Sequence, residues 1–147
     1  MLPVIDKIFE KILRQQLSNY FENNKLLYDC RQYGFRKGSG IENAVVNVTN
    51  HIRHGLDQGY NGDAGIFYDF SKAFDLVDHE MLFKRLEYYG IRNATLRLLR
   101  GYLTNGKQYV ELNNIRSFAG DIQHGVSQGS ALGQLLFTVY INDIVNL

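Results

Sequence analysis

The sequence is poor in the residues that mark secreted, disordered and membrane proteins. Its 147 residues include one cysteine, Cys30, one proline and no tryptophan. A lone cysteine excludes an intramolecular disulfide and a cysteine metal cage, so we expect a reducing intracellular setting, nuclear or cytoplasmic. One proline is too few for a linker or a disordered tail. No apolar run reaches about 18 residues and no secretory leader is apparent, so neither secretion nor a membrane span is expected.

An excess of charge of one sign is also lacking, since 16 Lys and Arg residues balance 15 Asp and Glu residues. The formal net charge of +1 does not by itself predict nucleic-acid binding, because dedicated binders are often strongly basic. It does not exclude local basic patches. The remaining composition, 45% hydrophobic and 21% charged, is typical of one globular domain with a real core.

Apolar residues recur at steps of three and four in five segments, which predicts five amphipathic helices. We expect them over residues 3–22, 41–58, about 79–89, about 94–103, and from Leu132 to near the end of the chain. Asp78 is a suitable N-cap for the third helix. In the first helix, the apolar residues from Val4 to Phe21 are expected to face the core. Its charged residues, Glu10 and Arg14 among them, are expected to face solvent.

A short β-prone run, Ile66 to Tyr68, leads directly to Asp69 and predicts a strand over 64–70 that is buried on both faces. Active-site groups of α/β folds gather at strand ends of this kind, although the simpler alternative is that Asp69 merely ends a strand. Two alternating runs, 107–112 and 115–118, flank an Asn-Asn pair and predict a β-hairpin.

Two glycine-rich loops carry candidate binding groups, one near residues 25–40 and one over 120–133. In the first, Arg31, Arg36 and Lys37 lie among aromatic residues and glycines. This composition can bind phosphate, because glycine lets backbone N–H groups approach and the cations neutralise charge; a solvated basic loop is the alternative. Two histidines three residues apart, His51 and His54, lack a carboxylate to complete a ligand set, so no metal role is expected for them.

Three blocks in this order resemble the reverse transcriptase domain of non-LTR retrotransposons. They are Q-Y-G-F-R-K-G at 32–38, Y-D-F-S-K-A-F-D-L-V-D-H at 68–79, and G-V-S-Q-G-S-A-L-G-Q-L-L-F at 125–137. The resemblance covers nearly the whole chain but only part of the family's domain. It implies an α+β fold with helices packed on a small antiparallel sheet. The chain would form the later fingers (about 1–62) and the first half of the palm (about 63–147) of a right-handed polymerase.

The resemblance also implies a chemistry, which is template-directed DNA synthesis from deoxynucleoside triphosphates on an RNA template with a DNA primer. Two divalent ions, Mg²⁺ or Mn²⁺, clamp the attacking and leaving oxygens in such enzymes. Asp69 matches the first metal-binding carboxylate, with the backbone carbonyl of Phe70 beside the same ions. Phe74 matches the aromatic residue that lies under the sugar and rejects a 2′-hydroxyl, although core packing is another interpretation of Phe74.

Two further elements of the family have counterparts here. Gln128 matches the glutamine of the Gly-x-Pro-Gln-Gly-Ser loop, which lies against the incoming nucleotide and the template. The same loop includes Gly125, Gly129 and Ser130. Arg36 and Lys37 match the fingers element near the triphosphate, where a guanidinium can pair bidentately with phosphate oxygens.

The sequence departs from the family's pattern at several positions. Ser127 and Gln134 replace two prolines, and Gly40-Ile41-Glu42 replaces the usual Ser-Thr-Glu. With serine at 127 no ring fixes φ just before the glutamine. The family's Tyr/Phe-x-Asp-Asp hairpin, which brings the other catalytic carboxylates, is not reached before Leu147. We therefore expect a truncated domain with an incomplete two-ion site, which does not polymerise without the rest of the polymerase. The alternatives are a non-catalytic nucleic-acid-binding module and an inert, degenerate remnant.

Overall fold

The computed structural model describes residues 4–27, 32–36, 38–62, 64–104 and 106–146. The helices are α1 (Val4–Asn23), α2 (Ile41–Asp57), α3 (His79–Tyr88), α4 (Asn93–Thr104) and α5 (Ala131–Ile141), and a 3₁₀ helix (Asn142–Asn146) follows α5. The strands are β1 (Lys107–Gln108), β2 (Glu111–Leu112), β3 (Ile115–Arg116) and β4 (Gly120–Asp121). This mixture of helices and short strands agrees with the α+β prediction, and the five expected helices are all present. The expected packing of helices on a small antiparallel sheet is not seen in the described chain, because the strand residues are all exposed and the helices pack on one another. Within the described ranges, no helix is both long and apolar enough to cross a membrane.

The chain divides into two compact units, one of residues 1–27 with 72–147 and one of residues 28–71. The first unit contains α1, α3, α4, α5 and all four strands, and the second contains α2. The assignment of about 1–62 to fingers and about 63–147 to palm stays a prediction, because these units are defined by packing and not by polymerase subdomains.

The core of the first unit is built around α5, which packs on α1 and α3, while α3 also packs on α4. Helix α5 is apolar on nearly every side, as expected for a central helix. Its buried apolar residues are Leu132, Leu135, Leu136, Phe137 and Val139. The neighbouring helices contribute Leu13, Leu17 and Phe21 from α1, Leu82, Phe83 and Leu86 from α3, and Leu96, Leu99 and Leu103 from α4.

The buried face of α1 differs from the predicted one. Glu10 is buried, with only 3% of its surface exposed, and it continues the stripe of Leu13 and Leu17 at helical spacing. The apolar residues near the helix start are exposed, namely Val4, Ile5, Ile8, Phe9 and Ile12. The prediction failed because it assigned faces by polarity alone, whereas a neighbouring hydrogen-bond donor can satisfy a buried carboxylate.

The predicted strand over 64–70 is wrong. These residues form no regular secondary structure, and their apolar side chains are exposed, Phe67 to 92%. Strand formation requires a neighbour that accepts and donates backbone hydrogen bonds, and none of the described segments pairs with this one. Asp69 therefore lies in an irregular, exposed segment and not at the end of a buried strand.

The predicted hairpin is confirmed, although its strands are shorter than expected. Strands β2 and β3 pair antiparallel around Asn113 and Asn114, whose φ values are 49° and 62°. Positive φ at both central residues is typical of the type I′ turn, which asparagine tolerates. A second antiparallel pair, β1 with β4, was not expected, since residues 120–133 were predicted to be loop.

Candidate functional site

The predicted site residues fall in both units. In the unit of residues 28–71, Asp69 and Phe70 lie in the exposed, irregular segment before residue 71, and Arg36 is half-buried in the loop before α2. Lys37, and also Arg31, lie outside the described residues, so the grouping of the phosphate-binding cations stays a prediction.

In the other unit, the segment after the predicted strand packs on the glycine-rich loop. The backbone N–H of Val126 donates to the carbonyl of Phe74 at 2.9 Å, and the N–H of Gly125 donates to the carbonyl of Val77 at 2.8 Å. An antiparallel bridge joins Asp78 to His124 beside them. Two of the three sequence blocks, 68–79 and 125–137, thus meet through backbone hydrogen bonds.

Phe74 is half-buried and stacks on Phe137 of α5, with ring centroids 4.3 Å apart and an interplanar angle of 22°. Stacking of this kind adds to area burial by about 0.5–1.5 kcal/mol. Phe74 therefore does pack on the core, as one of its two interpretations predicted. The second interpretation, contact with a sugar, stays a prediction.

Gly125 lies where no other residue fits well. Its φ is +91°, and a Cβ at this position would lie 2.9 Å from the carbonyl oxygen of Asp75. The imidazole of His79, itself buried, donates from Nε2 to the Gly125 carbonyl at 2.7 Å. The close approach that the glycine permits is therefore to the backbone of the 72–79 segment.

Gln128 and Gly129 are exposed in a tight turn that leads into α5. The N–H of Ser130 donates to the carbonyl of Ser127 at 3.1 Å, which closes the turn. Ser130 is also the N-cap of α5, because its Oγ accepts from the N–H of Gly133 at 2.8 Å. The turn thus presents the Gln128 side chain to solvent from a base fixed by the start of α5.

Two residues that the sequence did not indicate lie behind this turn. The Tyr102 hydroxyl contacts Ser130 Oγ at 3.2 Å and Glu10 Oε1 at 2.7 Å. The only signal in the sequence was the register of Glu10, which is three residues before Leu13 and seven before Leu17 on the stripe that α1 buries.

The ions that the resemblance implies would require a cluster of oxygen ligands. The Asp69 carboxylate and the Phe70 carbonyl are of the kind that Mg²⁺ prefers. Within the described ranges, however, no three His, Cys, Asp or Glu side chains are grouped closely enough to hold a metal ion. The described residues therefore do not form a complete two-ion site by themselves.

The sequence matches the family model described as reverse transcriptase (RNA-dependent DNA polymerase) over residues 1–147. It is 30% identical to a probable RNA-directed DNA polymerase from transposon BS of Drosophila melanogaster, over 98% of this chain. It is 28% identical to the corresponding probable polymerase from transposon X-element of the same species, again over 98% of this chain. The RNA-directed DNA polymerase from mobile element jockey of Drosophila funebris is 26% identical over 99% of it.

In each of these relatives, the matched region is only 16% of the relative's length. The match nevertheless extends over all three sequence blocks and over both compact units. The resemblance to reverse transcriptases of non-LTR retrotransposons is thereby confirmed, and the chain belongs to the reverse transcriptase (RNA-dependent DNA polymerase) family.

Proposed function

We propose that this chain is the part of an RNA-directed DNA polymerase that receives the incoming deoxynucleoside triphosphate. The observation that carries the proposal is the packing of the Phe74 segment on the loop that leads to Gln128. Two backbone hydrogen bonds join them, and the Phe74 ring stacks on α5 next to the turn. A half-buried aromatic residue and an exposed amide, on two segments that backbone hydrogen bonds join, suit the recognition of a nucleoside, by stacking and by hydrogen bonding.

Each residue then has a role in that function. Phe74 lies under the deoxyribose and excludes a 2′-hydroxyl, and Gln128 contacts the nucleotide and the template strand. Arg36 and Lys37 pair with triphosphate oxygens. Asp69 supplies the first metal-binding carboxylate, with the Phe70 carbonyl beside it. The remaining loop residues, Gly125, Gly129 and Ser130, shape the turn. The fold around them is the later fingers and first half of the palm of a right-handed polymerase.

The chain by itself is not proposed to polymerise. Two dications about 3.5–4 Å apart repel each other strongly, and one carboxylate offsets only half the charge of one of them. No group of ligands among the described residues makes up the difference. We propose that other carboxylates of the polymerase complete the two-ion site. The complete polymerase then works on an RNA template with a DNA primer.

The test is a chimera in which this chain replaces its matched 16% of the transposon BS polymerase. The chimera should extend a DNA primer on an RNA template, and Asp69→Ala should reduce extension to background. Phe74→Val should raise incorporation of ribonucleotides relative to deoxyribonucleotides, because the smaller side chain leaves room for the 2′-hydroxyl.

Asp75→Ala is the matched control, since Asp75 is an exposed carboxylate in the turn directly after the proposed site. It should leave extension unchanged. Extension that survives Asp69→Ala would overturn the role of Asp69. Primer extension by the unmodified 147-residue chain, abolished by Asp69→Ala, would overturn the proposal that further carboxylates are needed.

A further inference from the structure

A partly buried hydrogen-bond network links three helices of the first unit at the base of the Gln128 turn. Tyr102 of α4 contacts Glu10 of α1 at 2.7 Å and Ser130 at 3.2 Å, and Ser130 accepts from the N–H of Gly133 at 2.8 Å. Glu10 is 3% exposed and Ser130 is 2% exposed, while Tyr102 is half-buried between them. Water has little access to Glu10 and Ser130, so the hydrogen bonds of these two side chains are made within the protein.

The protons in this network can be placed from the number of donors. A phenol has one O–H, and the carboxylate of Glu10 can only accept. Tyr102 therefore donates to Glu10, at the shorter distance, and accepts from the hydroxyl of Ser130. Ser130 in turn accepts from Gly133. With these directions, the Tyr102 O–H, the Ser130 O–H and the Gly133 N–H each have one acceptor.

The protonation state of the phenol supports this direction. Burial raises the pKa of Tyr102 to about 12, and the bond to the Glu10 carboxylate also raises it, while the Ser130 hydroxyl lowers it. The phenol therefore remains a donor to Glu10 at neutral pH. Because Ser130 donates to Tyr102 and accepts from Gly133, both hydrogen bonds help to fix the position of its Oγ at the start of α5.

The turn that these hydrogen bonds hold lacks a proline constraint that the family pattern has. Ser127, at the start of the turn, stands where the family pattern has proline, so no ring fixes its φ. The closing bond of the turn runs from the Ser130 N–H to the Ser127 carbonyl. The Ser130 end is therefore one of two anchors of the turn, the other being Val126, whose N–H donates to the Phe74 carbonyl at 2.9 Å.

We propose that Tyr102 and Glu10 are positioning residues, which hold the turn of residues 127–130 through Ser130 and so fix the backbone that carries Gln128. This proposal rests on the proposed function, because a fixed backbone at Gln128 matters for activity only if the Gln128 side chain contacts the incoming nucleotide. It adds two residues from outside the three sequence blocks, on helices that do not carry the turn.

The first measurement is amide hydrogen exchange in the 147-residue chain with Tyr102→Phe. Exchange in a peptide spanning 125–133 should become about 2- to 10-fold faster, as expected for the loss of one net hydrogen bond. Tyr20→Phe is the matched control, because it also removes one tyrosine hydroxyl. That hydroxyl donates to the Tyr89 carbonyl at 2.9 Å, away from the turn. Unchanged exchange over 125–133 in Tyr102→Phe would overturn the proposal.

Two further variants keep the test decisive. Glu10→Gln retains an acceptor for the phenol and should behave as the unmodified chain. Glu10→Leu removes the acceptor with a side chain that tolerates burial, and should speed exchange at 125–133. If Tyr102→Phe does not fold, Glu10→Leu gives the same comparison, and equal exchange in Glu10→Leu and Glu10→Gln would overturn the proposal.

The second measurement is steady-state primer extension by the chimera. Tyr102→Phe should raise KM for the deoxynucleoside triphosphate several-fold with a smaller effect on kcat, while Tyr20→Phe should change neither. Faster exchange with an unchanged KM in an active chimera would overturn the positioning role and leave the proposed function standing. A chimera without activity would count against the proposed function, and the exchange result would still decide whether Tyr102 orders the turn.

Discussion

At the scale of residues, the contacts that hold the loop of residues 124–133 come from residues distant in the sequence. His79 reaches Gly125 across 46 positions, and Tyr102 reaches Ser130 across 28. The family resemblance implied that this loop lies against the incoming nucleotide and the template. It gave no sign that Gly125 also lies against the backbone of Asp75, because the residue that packs on a glycine cannot be identified from the local sequence.

The ionisation of Tyr102 gives a test at this scale. Its pKa is raised to about 12 in the folded chain, against about 10 for a tyrosine in an unfolded chain. Below about pH 10 the phenol is neutral in both states, so its contribution to stability is constant. As the pH rises from about 10 to 12, only the unfolded state loses the proton, so the free energy of unfolding falls.

The measurement is urea unfolding of the unmodified chain and of Tyr102→Phe across this range. The difference between their unfolding free energies should be constant below about pH 9 and should decrease between about pH 10 and 12. Lysines also titrate there, but they are common to both proteins and cancel in the difference. A difference that stays constant up to pH 12 would show that the phenol is not shielded as the structure indicates.

At the scale of elements, helix ends were predictable and helix faces were only partly so. Asp78 caps α3 as predicted, because its Oδ1 accepts from the N–H of Met81 at 2.8 Å, three residues ahead in the chain. The sequence pattern of α3 predicts an inner face of Met81, Leu82, Leu86 and Tyr89, but Met81 is exposed, and His79 and Phe83 are buried instead. Caps depend on neighbours within four residues, whereas faces depend on which helix lies opposite.

The cap of α3 gives a test at this scale. Asp78→Ala should lower the free energy of unfolding by about 1 kcal/mol, since it leaves an N–H of the first turn without its acceptor. Asp78→Asn keeps an acceptor oxygen and should cost much less. Chemical denaturation of the three proteins provides the comparison, and equal losses for Ala and Asn would show that the charge of Asp78, and not its cap, matters.

At the scale of the whole molecule, the two units differ in how much they bury. The unit of residues 1–27 and 72–147 contains all of the buried apolar residues of the described chain. Within the described part of residues 28–71, only Gly55 is buried, and the apolar side chains of α2 are exposed. The sequence predicted α2 from its periodicity, but periodicity says only that one face is apolar, and not that anything covers it.

A matched pair of substitutions tests this difference. Leu136→Ala removes a side chain that is 0% exposed and should lower the free energy of unfolding by about 2–5 kcal/mol. Leu56→Ala removes the same atoms from a side chain that is 55% exposed on α2 and should change it by less than about 0.5 kcal/mol. The measurement is chemical denaturation followed by circular dichroism. Similar losses for the two variants would mean that α2 is packed in solution as tightly as α5.

The Glu10–Tyr102 hydrogen bond also constrains how these positions can diverge. Glu10 without the phenol would lose its hydrogen-bond donor while still buried, and Tyr102 without the carboxylate would lose the shorter of its two hydrogen bonds. Either single change is costly, while a joint change to two apolar residues of similar volume is tolerable. Among related sequences, positions 10 and 102 should therefore covary. Pairs of carboxylate with tyrosine should alternate with apolar pairs, and mixed pairs should be depleted.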